Sequence, residues 1–204
     1  MLSNSNNAVD PHNTELSGQP VQQWLRIGLG WDAISMQPAL DLDLSAFVCG
    51  LNAAGQPQLL SEQHLIFYNQ LTSPDGAIRH SGDHRTGTGD GDDEWLMIDV
   101  SNLDPMVKEV SVVVTLRDAV ARQHCFGLAR QASVRVITMA SSVVDSRVPS
   151  VDLLLTQYAL DVDFAQETAL QVGSLMRVPS GGFAFFAVGA GYRVDLADIL
   201  QRYL

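Results

Sequence analysis

The chain has 204 residues, 46% of them hydrophobic, with 12 Lys and Arg against 23 Asp and Glu for a formal net charge of −11. That length and apolar content suit one domain with a sizeable core and exclude a largely disordered chain. The acidic balance excludes a nucleic-acid backbone as partner and argues against unaided binding to anionic membranes.

In chain order, residues 1–20 are polar, with Pro11, Gly18 and Pro20, and read as a flexible lead-in; residues 21–204 read as a single domain. This lead-in lacks the basic-then-apolar pattern of a secretory signal, and no apolar run is long enough to span a bilayer, so the expected location is the cytoplasm. Residues 24–31 alternate Leu25, Ile27 and Leu29 with other residues, predicting a strand that Asp32 follows. The next strand, 41–49, has period two. It places Asp41, Asp43 and Ser45 on one face and Leu42, Leu44 and Ala46 on the other. Two acids on one strand face read either as solvated decoration or as metal-ligating oxygens.

Residues 52–57 form a turn around Gly55, 65–68 a strand, and Ser73-Pro74-Asp75-Gly76 a strong turn signal. Strands are predicted at 94–100, at the β-branched run 110–116, and at 132–138, 153–160 and 168–178. A short helix is expected at 118–123, and 139–150 is a Ser/Val-rich connector without a domain boundary. Pro179-Ser180-Gly181-Gly182 turns the chain into a hairpin strand at 183–188. The spacing of Val194, Leu196, Ile199, Leu200, Tyr203 and Leu204 then switches to that of a short amphipathic helix. Many short strands with frequent turns predict an all-β fold. The expected form is a β-sandwich of two mostly antiparallel sheets with a few short helices, one at the C-terminus.

Residues 83–94 hold five carboxylates and three glycines in twelve positions. Two such charges ~5 Å apart repel by about 3 kcal/mol at an effective dielectric of ~20. A tight loop of this kind therefore calls for a counter-charge. A hard cation with oxygen ligands supplies one, and the glycines let the backbone bring carboxylates to one point. The competing reading is a solvated acidic loop. The spacing is not that of an EF-hand: Arg85, Gly87 and Thr88 fill the middle, and a strand follows where a helix belongs. A single partial copy does not make a glycine-rich calcium repeat, and a phosphate loop needs a lysine that is missing here.

Gly28-Leu29-Gly30-Trp31-Asp32, Asp41-Leu42-Asp43, Phe67-Tyr68-Asn69, Ser73-Pro74-Asp75-Gly76 and Gly82 through Glu94 follow in this order. Later come Glu167-Thr168-Ala169-Leu170 and the run from Ala187 to Tyr192. Together they resemble the TerD family of tellurium-resistance and general stress proteins, over roughly residues 24–204. The resemblance implies a calcium-binding β-sandwich with a non-enzymatic role in bacterial stress responses. That role is a sensor or scaffold with calcium ions and protein partners, in a stress-response complex that can sit at a membrane. The ligand set it implies is Asp41, Asp43, Asp83, Asp90, Asp92, Asp93 and Glu94, with Asn69 and Asp32 beside them in the motif. This chain has His84 where the family usually has asparagine.

Two other functions compete. A peripheral membrane module would bridge lipid phosphates through calcium, but the acidic loop offers only Arg85 as a basic residue. A metal-dependent hydrolase would need an open metal position and a substrate cleft. His80 and His84 lie four apart but have no cysteine nearby, which disfavours zinc. No Gly-x-Ser-x-Gly nucleophile motif occurs. Cys49 and Cys125 are too few for a disulfide framework and read as small packed residues.

Overall fold

The computed structural model describes residues 18–32, 39–87, 91–140 and 152–204. Its strands in chain order are β1 (Gln19–Pro20), β2 (Trp24–Asp32), β3 (Leu42–Leu51), β4 (Pro57–Leu59), β5 (Leu65–Ile66), β6 (Ile78–His80), β7 (Glu94–Asp99), β8 (Glu109–Leu116), β9 (Arg130–Met139), β10 (Leu153–Ala159), β11 (Ala169–Arg177) and β12 (Phe183–Tyr192). The helices are short: α1 (Ala119–Arg122), α2 (Leu160–Asp163) and α3 (Leu196–Leu200). The strands form two sheets, one ordered β10-β9-β2-β7-β6 and the other β1-β12-β11-β8-β3-β4, with β5 also paired to β3. All of these pairings are antiparallel. The expected β-sandwich is what the chain forms. Among the described residues no helix is long and apolar enough to cross a membrane.

Period-two alternation builds the layer between the sheets. Leu25, Ile27 and Leu29 of β2 meet Leu42, Leu44, Ala46 and Val48 of β3, and Val110, Val112 and Val114 of β8 complete the same core. The alternate residues of β3 and β8 are buried as well. Phe47, Cys49 and Val113 pack with Ile199 and Tyr203 in a second apolar cluster on the outer face of the larger sheet. That second burial explains the apolar stretches at residues 46–49 of β3 and 112–114 of β8. A strand covered on both faces cannot alternate cleanly with polar residues. The cover is the C-terminal segment, where the Tyr203 ring stacks on Phe47 with centroids 4.7 Å apart and its hydroxyl donates to Ser111 Oγ at 2.8 Å.

Several expected boundaries shift. The strand predicted at 65–68 ends at Ile66, because the amide of Gln70 donates to the carbonyl of Phe67 and the reverse bond also forms, making a tight turn. The terminal helix runs only over Leu196–Leu200 and tightens into a 3-10 turn at Gln201–Tyr203. Within the polar lead-in, Gln19 and Pro20 pair with Phe185 and Ala184 at the sheet edge, where a proline's missing N–H is harmless, and residues 1–17 lie outside the described residues. The turn before β12 places Gly181 and Gly182 at φ 89° and 78°, which a side chain would strain. Most of the expected connector at 139–150 lies outside the described residues.

Candidate metal centre

The sandwich brings the start of β3, the end of β8 and the loop between β6 and β7 to one end. The register aligns Asp43 with Thr115, and the amide of Arg117 donates to the carbonyl of Asp41. Asp83 enters from the β6–β7 loop. The outcome is that Asp41, Asp43 and Asp83 each present a carboxylate oxygen within 4.8 Å of the other two.

This cluster is poorly satisfied by the protein itself. Asp41 and Asp43 are only 7% and 4% exposed. The Oδ1 atom of each is buried and meets no hydrogen-bond donor among the described residues. Buried polar atoms in native proteins nearly always have a partner, so two side by side mark a place where a ligand completes the chemistry. Burial raises the pKa of Asp41 above the usual carboxylate value. Burial, reinforced by the charge of Asp41, pushes Asp43 up to about 7. Both shifts say that the charged form is held at a cost which a nearby cation removes.

The cation the structure supplies is Arg117, a residue the sequence reading did not select. Its Nη1 lies 3.3 Å from Asp41 Oδ2 and 3.9 Å from Asp83 Oδ2. Its guanidinium stands 4.8 Å from the centroid of the Tyr68 ring. Arg85 Nε donates to Asp83 Oδ2 at 2.7 Å.

The other candidate ligands are placed elsewhere. Asp92 crosses to the outer face of the smaller sheet, where its Oδ2 pairs with Arg26 Nη2 at 2.8 Å and its Oδ1 with Arg135 Nη2 at 2.9 Å. It lies over Gly28, and a Cβ there would collide with its carboxylate. Asp93 Oδ2 accepts from the Trp31 amide at 2.9 Å and so ties the loop to β2. Asp32 Oδ2 accepts from Gln131 Nε2 at 2.6 Å. Asn69 is exposed in the Phe67–Gln70 turn. Asp90 lies outside the described residues.

Glu94 has a structural task. It faces inward with Leu96 and Ile98, fully buried. β5 pairs with β3 at Ala46 and Phe47, and among the described residues no strand reaches Leu44 on that edge. Glu94 Oε2 accepts from the Leu44 amide at 2.9 Å, and His80 Nε2 donates to the Leu44 carbonyl at 2.9 Å. Two side chains thus satisfy the backbone where a strand is missing. His80 Nδ1 accepts from the Gly82 amide, which fixes the neutral tautomer with the proton on Nε2, and burial lowers its pKa. Both ring nitrogens are therefore engaged, leaving no lone pair for zinc. Burial pushes Glu94 up to about 8. His84 turns toward Asp93 Oδ1, 3.6 Å away, and its ring stands edge-on to Trp31.

The TerD domain model matches residues 11–203. Among characterised sequences, the tellurium resistance protein TerD of Serratia marcescens is 38% identical over 193 residues, covering 94% of this chain and 93% of that one. General stress protein 16U of Bacillus subtilis (strain 168) is 37% identical over 177 residues, covering 87% and 85%. Among solved structures, a homologue of the telluride resistance protein from Streptomyces coelicolor A3(2) superimposes with a TM-score of 0.70 at 21% identity. It covers 88% of this chain and 95% of that one, a likeness of fold.

Proposed function

The chain belongs to the TerD family of tellurium-resistance and stress-response proteins, and from that premise we propose that it is a non-enzymatic calcium-binding protein. Asp41, Asp43 and Asp83 hold the ion. The observation that carries this reading is the pair of buried Oδ1 atoms on Asp41 and Asp43, without hydrogen-bond donors among the described residues, beside a third carboxylate. The donors are all carboxylate oxygens, and calcium accepts such oxygens in more numerous and more flexible arrangements than the strict octahedron of magnesium. A bound calcium ion would offset two of the three carboxylate charges and would link the start of β3 to the β6–β7 loop through Asp83. A loop that stiffens with calcium offers partner proteins of a stress response a surface that changes with the ion, the role of a sensor or scaffold.

Calorimetric titration with calcium and magnesium is the test. Calcium binding that Asp43→Asn removes supports the reading. No heat and no thermal shift with calcium sinks it.

A further inference from the structure

Beside the carboxylate cluster opens a cleft of about 380 Å³ whose wall includes Asp41, Asp118 and three arginines, Arg85, Arg117 and Arg122. The whole chain has only 12 Lys and Arg and a net charge of −11, so three guanidiniums around one small cleft are a local inversion of its character. Forked N–H donors of this kind match the geometry of an oxyanion.

The present partners of these arginines differ in one respect. Arg122 Nη2 pairs with Asp118 Oδ2 at 2.9 Å, outside the carboxylate cluster. Arg85 pairs with Asp83 at 2.7 Å, and Arg117 with Asp41 at 3.3 Å and Asp83 at 3.9 Å. The last two arginines therefore draw their counter-charge from the oxygens that would hold calcium. An ion on Asp41 and Asp83 cancels that charge and takes up those lone pairs. Two guanidiniums are then left facing the cleft, and Arg117 keeps its place through the Tyr68 ring 4.8 Å away. Without the ion, the same carboxylates both occupy the donors and repel an anion.

We propose that this arginine-lined cleft is a calcium-gated oxyanion site, taking a phosphate or sulfate group, free or on a lipid, when calcium holds Asp41 and Asp83. The proposal rests on the calcium reading above and adds a second ligand to it. The coupling is reciprocal: whatever factor calcium adds to the anion's affinity, the anion adds to calcium's.

The experiment is calorimetry on the full chain with glycerol 3-phosphate, in millimolar calcium and in buffer stripped of divalent ions. The anion should bind at least about tenfold more tightly with calcium, and calcium should gain the same factor with the anion present. The double variant Arg85→Gln/Arg117→Gln should still bind calcium, at least as tightly as the parent, and lose the calcium dependence of anion binding. Arg122→Gln should weaken the anion under both conditions while calcium still strengthens it. Calcium binding with an anion affinity unchanged between the two buffers overturns the gate and leaves the calcium reading standing. Absence of calcium binding removes the calcium reading and the gate with it. Anion coupling that survives in the double variant places the anion on the ion itself and also overturns the proposal. Sedimentation with phosphatidylcholine vesicles, with and without phosphatidic acid, identifies the source. Calcium-dependent binding to the acidic vesicles that the double variant loses shows that a lipid phosphate enters the cleft. Binding that the double variant keeps shows the ion bridging the headgroup directly, against the proposal.

Discussion

The outer face of the larger sheet carries buried polar groups at both ends, and the two ends are built on opposite terms. At one end Glu109 Oε1 accepts from Ser174 Oγ at 2.6 Å, and Ser111 Oγ accepts from Tyr203 at 2.8 Å and from Gln171 Nε2 at 3.1 Å. The C-terminal segment closes over them. At the other end, at the start of β3, Asp41 and Asp43 each keep an oxygen without a donor among the described residues, beside Asp83 and Arg117. The first region ties Glu109 Oε1, Ser111, Ser174 and Tyr203 into the fold through hydrogen bonds. The second is left short of partners, which is what a ligand site requires. The contrast predicts that damage at the first end shows in stability, and damage at the second in ion binding.

The largest expected effect is at the covered end. Tyr203→Ala removes a buried aromatic stack and a hydrogen bond, and should lower unfolding free energy by about 3–5 kcal/mol in urea titrations. Asp43 lies four residues from Phe47 along β3, about 13 Å, so calcium affinity of the folded variant should be nearly unchanged. A loss of calcium binding in a variant that remains folded would break the separation of the two ends.

The second effect belongs to the open end. Calcium at a hundred-fold excess over its dissociation constant should raise stability by about 2.7 kcal/mol. Asp43→Asn should abolish that gain. Measured without calcium at pH 8, the same variant should be more stable than the parent by on the order of 1 kcal/mol, because a buried charge without compensation has gone. A variant less stable in both conditions would make Asp43 a structural residue.

Acid provides a third, smaller test. Burial and the neighbouring Asp41 charge raise the folded pKa of Asp43 from the ordinary aspartate value of 3.8 to about 7. A group raised in this way favours the folded state below its unfolded pKa and loses that contribution as pH rises through the folded value. Without calcium, the Asp43 contribution to stability should therefore fall between pH 4 and about 7. With calcium the proton and the ion compete for the same oxygens, so calcium affinity should drop up to about tenfold from pH 7 to pH 6. In Asp43→Asn the part of the stability slope due to this group should vanish, and an unchanged slope would move the titrating group elsewhere.

Much of this was legible in the sequence, and the gaps have physical reasons. Alternation located β2 and β3, hydrophobic patterning located β7 and a β-branched run located β8, and alternation placed Asp41 and Asp43 together on one face at the start of β3. It did not reveal that this face is covered farther along, because the cover comes from residues 196–203, more than a hundred positions away. Arg117 was missed because its place opposite Asp41 depends on the register of β3 against β8, which periodicity leaves open. The inward turn of Glu94 was readable: it alternates with Leu96 and Ile98, so it shares their core-facing side. The acidic loop hid that signal, because it reads as one unit in the sequence while its four described carboxylates go to four separate places.

Asp92 is where that division is sharpest and the expected effect smallest. The family resemblance makes it a calcium ligand, yet both its oxygens are held by Arg26 and Arg135 above Gly28. Its side chain is 6% exposed while those of the arginines are 31% and 45%, so solvent screens much of the attraction. Asp92→Asn should thus cost about 1 kcal/mol of stability, and the cost should shrink with added salt. Its calcium affinity should stay within about threefold of the parent, a loosening of the loop by under 1 kcal/mol. Asp83→Asn, nine positions earlier in the same loop, removes an oxygen of the cluster and should weaken calcium far more. Parallel calorimetry on the two variants decides the matter. Equal losses would mean that Asp92 leaves its arginines to bind the ion, and that the loop rearranges around calcium more than the clamp on the sheet face allows.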